Sequence, residues 1–121
     1  MTVETLFEKM TAAFPTMAQN GKIFFDHVTV EEGEEILPPY MVISETQKDP
    51  FFADNVAYYL TVEHEIDVYT AQYDVNLINR VAELLTENEI AFSLVSSSWL
   101  DDVGAYMTTF SVDLDESGGE S

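Results

Sequence analysis

The chain contains no cysteine, so it can form neither a disulfide framework nor a thiolate metal site. No apolar run approaches the ~20 residues that a membrane span needs. The first ten residues, MTVETLFEKM, carry acids early and have no basic n-region of a signal peptide. From these absences we expect a soluble protein that is made and used in the cytoplasm.

Basic residues are scarce. Four Lys and Arg residues stand against 23 Asp and Glu residues, which gives a formal net charge of -19. Such a chain should be repelled by nucleic acid and by anionic lipid. Three interpretations stay open: a solvated acidic surface or an adaptation to salt, a DNA mimic that occupies a basic groove, and a protein that lies beside DNA without adhering to it.

The length of 121 residues is that of one domain. We predict a single α+β domain over residues 1–114. The last residues, DESGGES, have nothing to bury, and we therefore predict a disordered acidic tail over residues 115–121.

Hydrophobic periodicity predicts two helices. The first has Thr2 as its N-cap and ends at Phe14, because Pro15 stops it. The second is capped by Asp74 and ends near Asn88. Its apolar stripe consists of Leu77, Ile78, Val81, Leu84 and Leu85.

Five strands are predicted between and after these helices. They cover residues 23–27, residues 40–45, a long third strand that ends at Tyr69, residues 90–100 and residues 105–114. The order α-β-β-β-α-β-β, with one apolar face per element, predicts a mainly antiparallel sheet with two helices on one face. The predicted fold class is therefore a two-layer α+β sandwich.

The third predicted strand alternates almost without interruption between apolar and polar residues. Glu63, Glu65 and Asp67 fall on one face, and His64 falls on the apolar face. The carboxylates should therefore point away from the helices, toward water or a neighbour. We expect His64 to be a buried or half-buried structural histidine and not a catalytic base.

No motif indicates catalysis or cofactor binding. The phosphate-binding loops GxxxxGK[ST] and GxGxxG are absent, HEIDV lacks the second histidine of the zincin motif, and EEGEE lacks the EF-hand ladder of ligands. Asp26 and His27 are neighbours in a predicted strand and should point to opposite faces. We expect no enzyme activity, no catalytic residue, no cofactor and no metal.

A resemblance to a known family covers about residues 36 to 114. It is carried by Pro39-Tyr40 opening a strand, FADN before the third strand, IDVYT, LLTENEI, and a closing strand with an aromatic residue near its start. In pattern and order this stretch resembles small phage and prophage proteins of the tail-morphogenesis modules of long-tailed phages of Gram-positive bacteria. The chain departs from them around the third strand and second helix, where such proteins are usually lysine-rich.

The resemblance implies a tail terminator or tail completion protein, which joins head and tail. Such a subunit assembles as a hexameric ring, caps the tail tube and forms the joint to the head-tail connector protein. The implied partners are further copies of the chain, the tail tube protein and the connector, although the isolated chain can remain monomeric. The implied location is the virion tail, and the host cytoplasm during assembly.

The row Glu63, Glu65 and Asp67 suits the bore of such a ring, because carboxylates do not hold DNA phosphates. The same three residues could instead be an ordinary solvated face. The alternative function is an acidic DNA mimic or inhibitor that binds a basic host DNA-binding protein. The dispersion of the acids along the whole chain favours the tail protein over the mimic.

Residues 45–55 are predicted to form a mobile loop used in assembly. The candidate assembly residues are Lys48, Asp49, Pro50, Phe51 and Phe52. Lys48 is one of only four cations, and two adjacent phenylalanines are poor candidates for a solvated loop. Alternatively, one phenylalanine folds back and closes the core.

Overall fold

The computed structural model describes residues 2–28, 35–48 and 61–115. In these ranges the chain forms three helices and one mostly antiparallel sheet of five strands, which confirms the predicted α+β class. The elements are α1 (Val3–Ala13), α2 (Pro15–Gln19), β1 (Ile23–Phe25), β2 (Tyr40–Lys48), β3 (Thr61–Thr70), α3 (Val75–Glu87), β4 (Ala91–Leu100) and β5 (Ala105–Asp115).

The helix starts follow from side-chain caps. The Thr2 hydroxyl accepts a hydrogen bond from the backbone N–H of Thr5 at 3.2 Å, and the Asp74 carboxylate accepts one from Leu77 at 3.0 Å. Pro15 separates α1 from a short helix, α2, that the sequence pattern did not predict. Proline is tolerated in the first turn of a helix, where its missing N–H would have no partner, and so it both ends α1 and begins α2.

The strand order across the sheet is β1-β2-β3-β5-β4. β1 runs parallel to β2, and every other described pair is antiparallel. β3 lies in the middle, where Ile66 is opposite Ile43 of β2 and Phe110 of β5. β3 and β5 are neighbours in the sheet, although α3 and β4 lie between them in the chain. β1 and β4 are the two edge strands of the described sheet.

The core lies between the helices and one face of the sheet. β3 contributes His64, Ile66 and Val68, which are all nearly inaccessible to solvent. The helices cover them with the buried side chains Leu6, Met10, Leu77, Ile78, Val81, Leu84 and Leu85. The apolar stripe predicted for α3 is therefore confirmed. No described helix is long and apolar enough to cross a membrane.

The structure corrects the assembly loop predicted over residues 45–55. Glu45, Gln47 and Lys48 belong to β2, because its ladder with β3 continues across an irregularity between Glu45 and Gln47. Lys48 is thereby paired with Val62 as a strand residue. Residues 49–55 lie outside the described residues.

Two other boundaries also differ from the predictions. β1 ends at Phe25, because Asp26 has a positive φ of 76° that breaks the extended backbone. Asp26 and His27 therefore do not point to opposite faces, and their side chains meet with a distance of 2.9 Å between Nδ1 and Oδ2. β5 includes Asp115, one residue beyond the predicted domain end, and residues 116–121 lie outside the described part.

Candidate functional site on the outer sheet face

The face of the sheet that points away from the helices is called the outer face here. On β3 it carries Glu63, Glu65, Asp67 and Tyr69, which alternate with the buried residues of the core face. The strand neighbours that share this face are Tyr40, Val42 and Ser44 of β2 and Met107, Thr109, Ser111 and Asp113 of β5. The three carboxylates of β3, called the carboxylate row, thus lie on the predicted face.

Hydroxyl groups from β5 satisfy two members of the carboxylate row. Thr109 Oγ1 donates to Asp67 Oδ1 at 2.8 Å, directly across the strand pair. Ser111 Oγ donates to Glu63 Oε2 at 2.9 Å, although the residue directly opposite Ser111 is Glu65. In both of these hydrogen bonds the donor is a neutral hydroxyl and not a lysine or an arginine.

Two members of the row have raised pKa values. Burial raises the pKa of Glu65, and the neighbouring charges of Asp67 and Glu63 raise it further. Burial also raises the pKa of Asp67, and the hydrogen bond from Thr109 offsets part of that increase. The folded chain therefore holds protons on these two groups more tightly than an unfolded chain would.

An aromatic cluster lies at one end of the row. The rings of Tyr40 and Tyr69 stack with centroids 4.5 Å apart and an interplanar angle of 11°, and Phe24 meets Tyr40 edge-on at 6.4 Å. Burial raises the pKa of Tyr69 to about 12, with smaller contributions from Asp67 and Tyr40. The cluster is an uncharged boundary to the acidic part of the outer face.

Of the other residues singled out in the sequence, His64 and Lys48 belong to described strands. His64 lies on the core face and is only 1% exposed, which agrees with a structural histidine. Lys48 is the last residue of β2, and residues 49–52 lie outside the described residues, so their role in assembly stays a prediction. The described residues contain no group of three or more His, Cys, Asp or Glu that could hold a metal ion.

Sequence reasoning missed the hydroxyl partners of the row. Thr109 and Ser111 alternate with buried apolar residues in β5, and this pattern marks them as outer-face residues. Their carboxylate partners lie 42 and 48 positions away in the chain, and only the β3–β5 register brings them together.

Chemically, the outer face presents carboxylates, hydroxyls and aromatic rings. Within the five described strands there is one Lys or Arg residue, Lys48. Such a surface can repel phosphate groups and accept hydrogen bonds. The chain matches no protein-family model, and no curated protein is significantly similar to it.

Proposed function

We propose that the protein is a structural tail protein of a long-tailed phage or prophage. It forms a ring at the head-proximal end of the tail tube, ends tail growth and joins the tail to the head. The observation that carries the proposal is the carboxylate row, which lies on a sheet face that the described helices leave uncovered. The choice of a tail ring as the assembly rests on the resemblance in pattern and order over about residues 36–114.

A bore that passes DNA must not bind it. Each phosphate held by a fixed lysine or arginine releases counterions, and this release favours adhesion. Carboxylates paired with lysines would bring cations into the bore. The hydrogen bonds from Thr109 to Asp67 and from Ser111 to Glu63 both come from neutral hydroxyls, so neither bond adds a positive charge.

The proposed partners follow from this role. They are further copies of the chain, the tail tube protein and the head-tail connector protein, with the virion tail as the final location and the host cytoplasm as the place of assembly. The row faces the bore, so the tube and connector contacts use other surfaces.

Electron microscopy of particles assembled without this gene product tests the proposal. We expect overlong tails, or tails and heads that do not join, and restoration of normal particles when the gene is supplied in trans. Normal tails joined to heads in its absence would contradict the proposal. Tight binding of the purified chain to a basic DNA-binding protein would favour the DNA-mimic alternative instead.

A further inference from the structure

The strand β4 is an unprotected edge of the described sheet. It lies at one end of the strand order, and no described strand pairs with its free side. Its sequence, AFSLVSSSWL, contains no charged residue and no proline, in a chain with 23 acidic residues. Natural edge strands usually carry charged residues or proline, which prevent pairing with another chain. The free side of β4 is therefore open to a further strand.

The opposite edge of the described sheet is better protected. β1 has only three residues, and Asp26 ends it with a positive φ of 76°. Very short edge strands are one of the means by which proteins prevent pairing with another chain. β4 has ten residues and no such limit. Of these two edge strands, β4 is thus the one suited to strand addition.

Large apolar side chains are exposed along β4. Leu94 is opposite Phe110 and Trp99 is opposite Tyr106, so both point to the helix side of the sheet. Both are about half exposed, at 52% and 49%. Val95, which lies at the irregularity of the β4–β5 ladder, is also exposed. Exposed apolar side chains grouped on one element commonly mark a protein contact.

Trp99 is prepared for an apolar contact. Its Nε1–H donates to Asp101 Oδ1 at 2.6 Å, which satisfies the only polar atom of the indole within the chain itself. The ring can therefore be buried by another protein without leaving a donor unpaired.

The Trp99 end of β4 is suited to a cation. Asp101 and Asp102 follow the strand and are exposed, and among the described residues no salt bridge joins either of them to a lysine or an arginine. Aromatic rings lie at the same end, because Trp99 is opposite Tyr106, whose ring meets that of Tyr73 at 5.5 Å. Carboxylates pair with guanidinium and ammonium groups, and aromatic faces attract the same groups.

The distribution of charge identifies the occupant of this edge. An acidic segment, including one from a second copy of the chain, would be repelled at Asp101 and Asp102. The strand itself offers no carboxylate to pair with a cation, so a segment that lies along Ala91–Leu100 should be uncharged there. The complementary partner is therefore an uncharged, β-forming segment with an arginine or lysine at one end.

We propose that β4 binds an extended segment of a basic partner protein, which adds to the sheet as an antiparallel strand. Antiparallel pairing is slightly more stable per residue than parallel pairing. In this direction the N-terminal end of the segment lies beside Trp99, so its basic residue precedes its uncharged run. Backbone hydrogen bonds supply affinity, and the basic end sets the direction. The contact uses β4 and not the carboxylate row, and it does not depend on the proposed tail role.

Tryptophan fluorescence tests the contact, because Trp99 is the single tryptophan of the chain. The probe is a synthetic peptide in which two arginines precede about eight alternating valines and threonines, a length that matches β4. We expect saturable binding with a shift of the emission to shorter wavelength. The same peptide with its arginines at the C-terminal end should bind several-fold more weakly, and a peptide with glutamates in their place should not bind. Equal binding of the two arginine peptides, or no shift with either, would overturn the proposal.

Charge variants locate the cation. Asp101→Asn with Asp102→Asn removes two charges and keeps an oxygen that can accept from Trp99. This double variant should bind the peptide about threefold to tenfold more weakly, as expected for two exposed ion pairs. The matched control is Glu83→Gln with Glu87→Gln, which removes two exposed charges from α3 and should bind as the wild type does. An equal loss in both double variants would mean that net charge alone attracts the peptide, and would overturn the proposal.

Hydrogen exchange measured by mass spectrometry tests the strand addition itself. The bound peptide should protect backbone amides of β4 and leave those of β1 unchanged. Binding without protection of β4 would overturn the proposal. Circular dichroism of each variant verifies that it folds.

Other occupants give distinct results. Self-association in sedimentation velocity that the arginine peptide competes away would identify a second copy on β4 and overturn the proposal. Loss of peptide binding in Glu65→Gln with Asp67→Asn, but not in the Asp101 and Asp102 variant, would place the basic segment on the carboxylate row. That result would also overturn the proposal, and it would favour the DNA-mimic alternative.

Discussion

Thr109 donates a hydrogen bond to Asp67 over 2.8 Å, directly across the β3–β5 pair. The bond lowers the pKa of Asp67, but burial raises it by more. Glu65, two residues away on the same face, also has a raised pKa. The ionised forms of Glu65 and Asp67 are therefore less favourable in the folded chain than in the unfolded chain.

Glu65 and Asp67 should make the protein more stable as the pH falls through their raised folded pKa values toward their ordinary values. A carboxyl whose pKa is higher in the folded chain than in the unfolded chain stabilises the fold fully at pH values below its unfolded pKa. This stabilisation is lost as the pH rises through the folded pKa. The ordinary values are 4.5 for Glu65 and 3.8 for Asp67. We expect the pH dependence of Tm, measured by calorimetry, to flatten in the double variant Glu65→Gln, Asp67→Asn. The control Glu83→Gln, exposed on α3, should keep the wild-type slope. An equal slope in the double variant would refute this prediction.

Removing the donor of Asp67 should destabilise the protein at neutral pH. Thr109→Val keeps the shape of the side chain but leaves a partly buried carboxylate without that hydrogen bond, at a cost of about 1–3 kcal/mol. The loss should shrink as the pH falls through the raised pKa of Asp67, because the protonated carboxyl no longer carries the charge that the hydroxyl stabilises. Urea denaturation of Thr109→Val, Asp67→Asn and the double variant gives the coupling energy. Additive effects at neutral pH would mean that the bond contributes nothing.

The packing of α3 on the sheet can be measured at Leu84. This side chain is 9% exposed within the core, and Leu84→Ala should lower the free energy of unfolding by about 2–5 kcal/mol through lost burial and a cavity. The matched control is Glu83→Ala, the preceding and exposed residue, which should change stability little. A loss under ~0.5 kcal/mol for Leu84→Ala would contradict the two-layer packing.

The chain should show no measurable affinity for duplex DNA near physiological salt. The reasons are its net charge of -19 and the scarcity of cations, since the described strands contain a single Lys or Arg residue. Fluorescence anisotropy of labelled duplex, titrated with protein at about 0.15 M salt, measures this directly. Micromolar binding would contradict both the bore and the DNA-mimic interpretations.

Neutralising the row should promote self-association at low salt. The Debye length is about 30 Å at 0.01 M salt and about 8 Å at 0.15 M, so repulsion between acidic copies is strongest at low salt. The triple variant Glu63→Gln, Glu65→Gln, Asp67→Asn should sediment faster than the wild type at 0.01 M and similarly at higher salt. In assembled particles whose ring contains the triple variant, we expect DNA to pass more slowly. Unchanged sedimentation and normal infectivity would indicate that the row is an ordinary solvated face.

The sequence alone determined several local features of the fold. Thr2 and Asp74 were recognisable as caps because they precede an apolar helical period, and each accepts a hydrogen bond from a backbone N–H three residues later. The alternation in β3 separated His64 from the carboxylate row because successive strand residues point to opposite faces. Each of these inferences depends on residues only a few positions apart, which share one local geometry.

Only the tertiary structure decided which distant residues meet. The partner of Asp67 depends on the β3–β5 register, which the whole sheet fixes, and not on the sequence around Asp67. Simple alternation would place Leu94 and Trp99 on opposite faces, whereas a register shift in β4 puts both on the helix side. The β2–β3 ladder likewise continues across an irregularity to Lys48, which makes that residue part of a strand and not of the predicted loop. An irregularity in a ladder changes the face of every later residue, and its position depends on the pairing of two strands together.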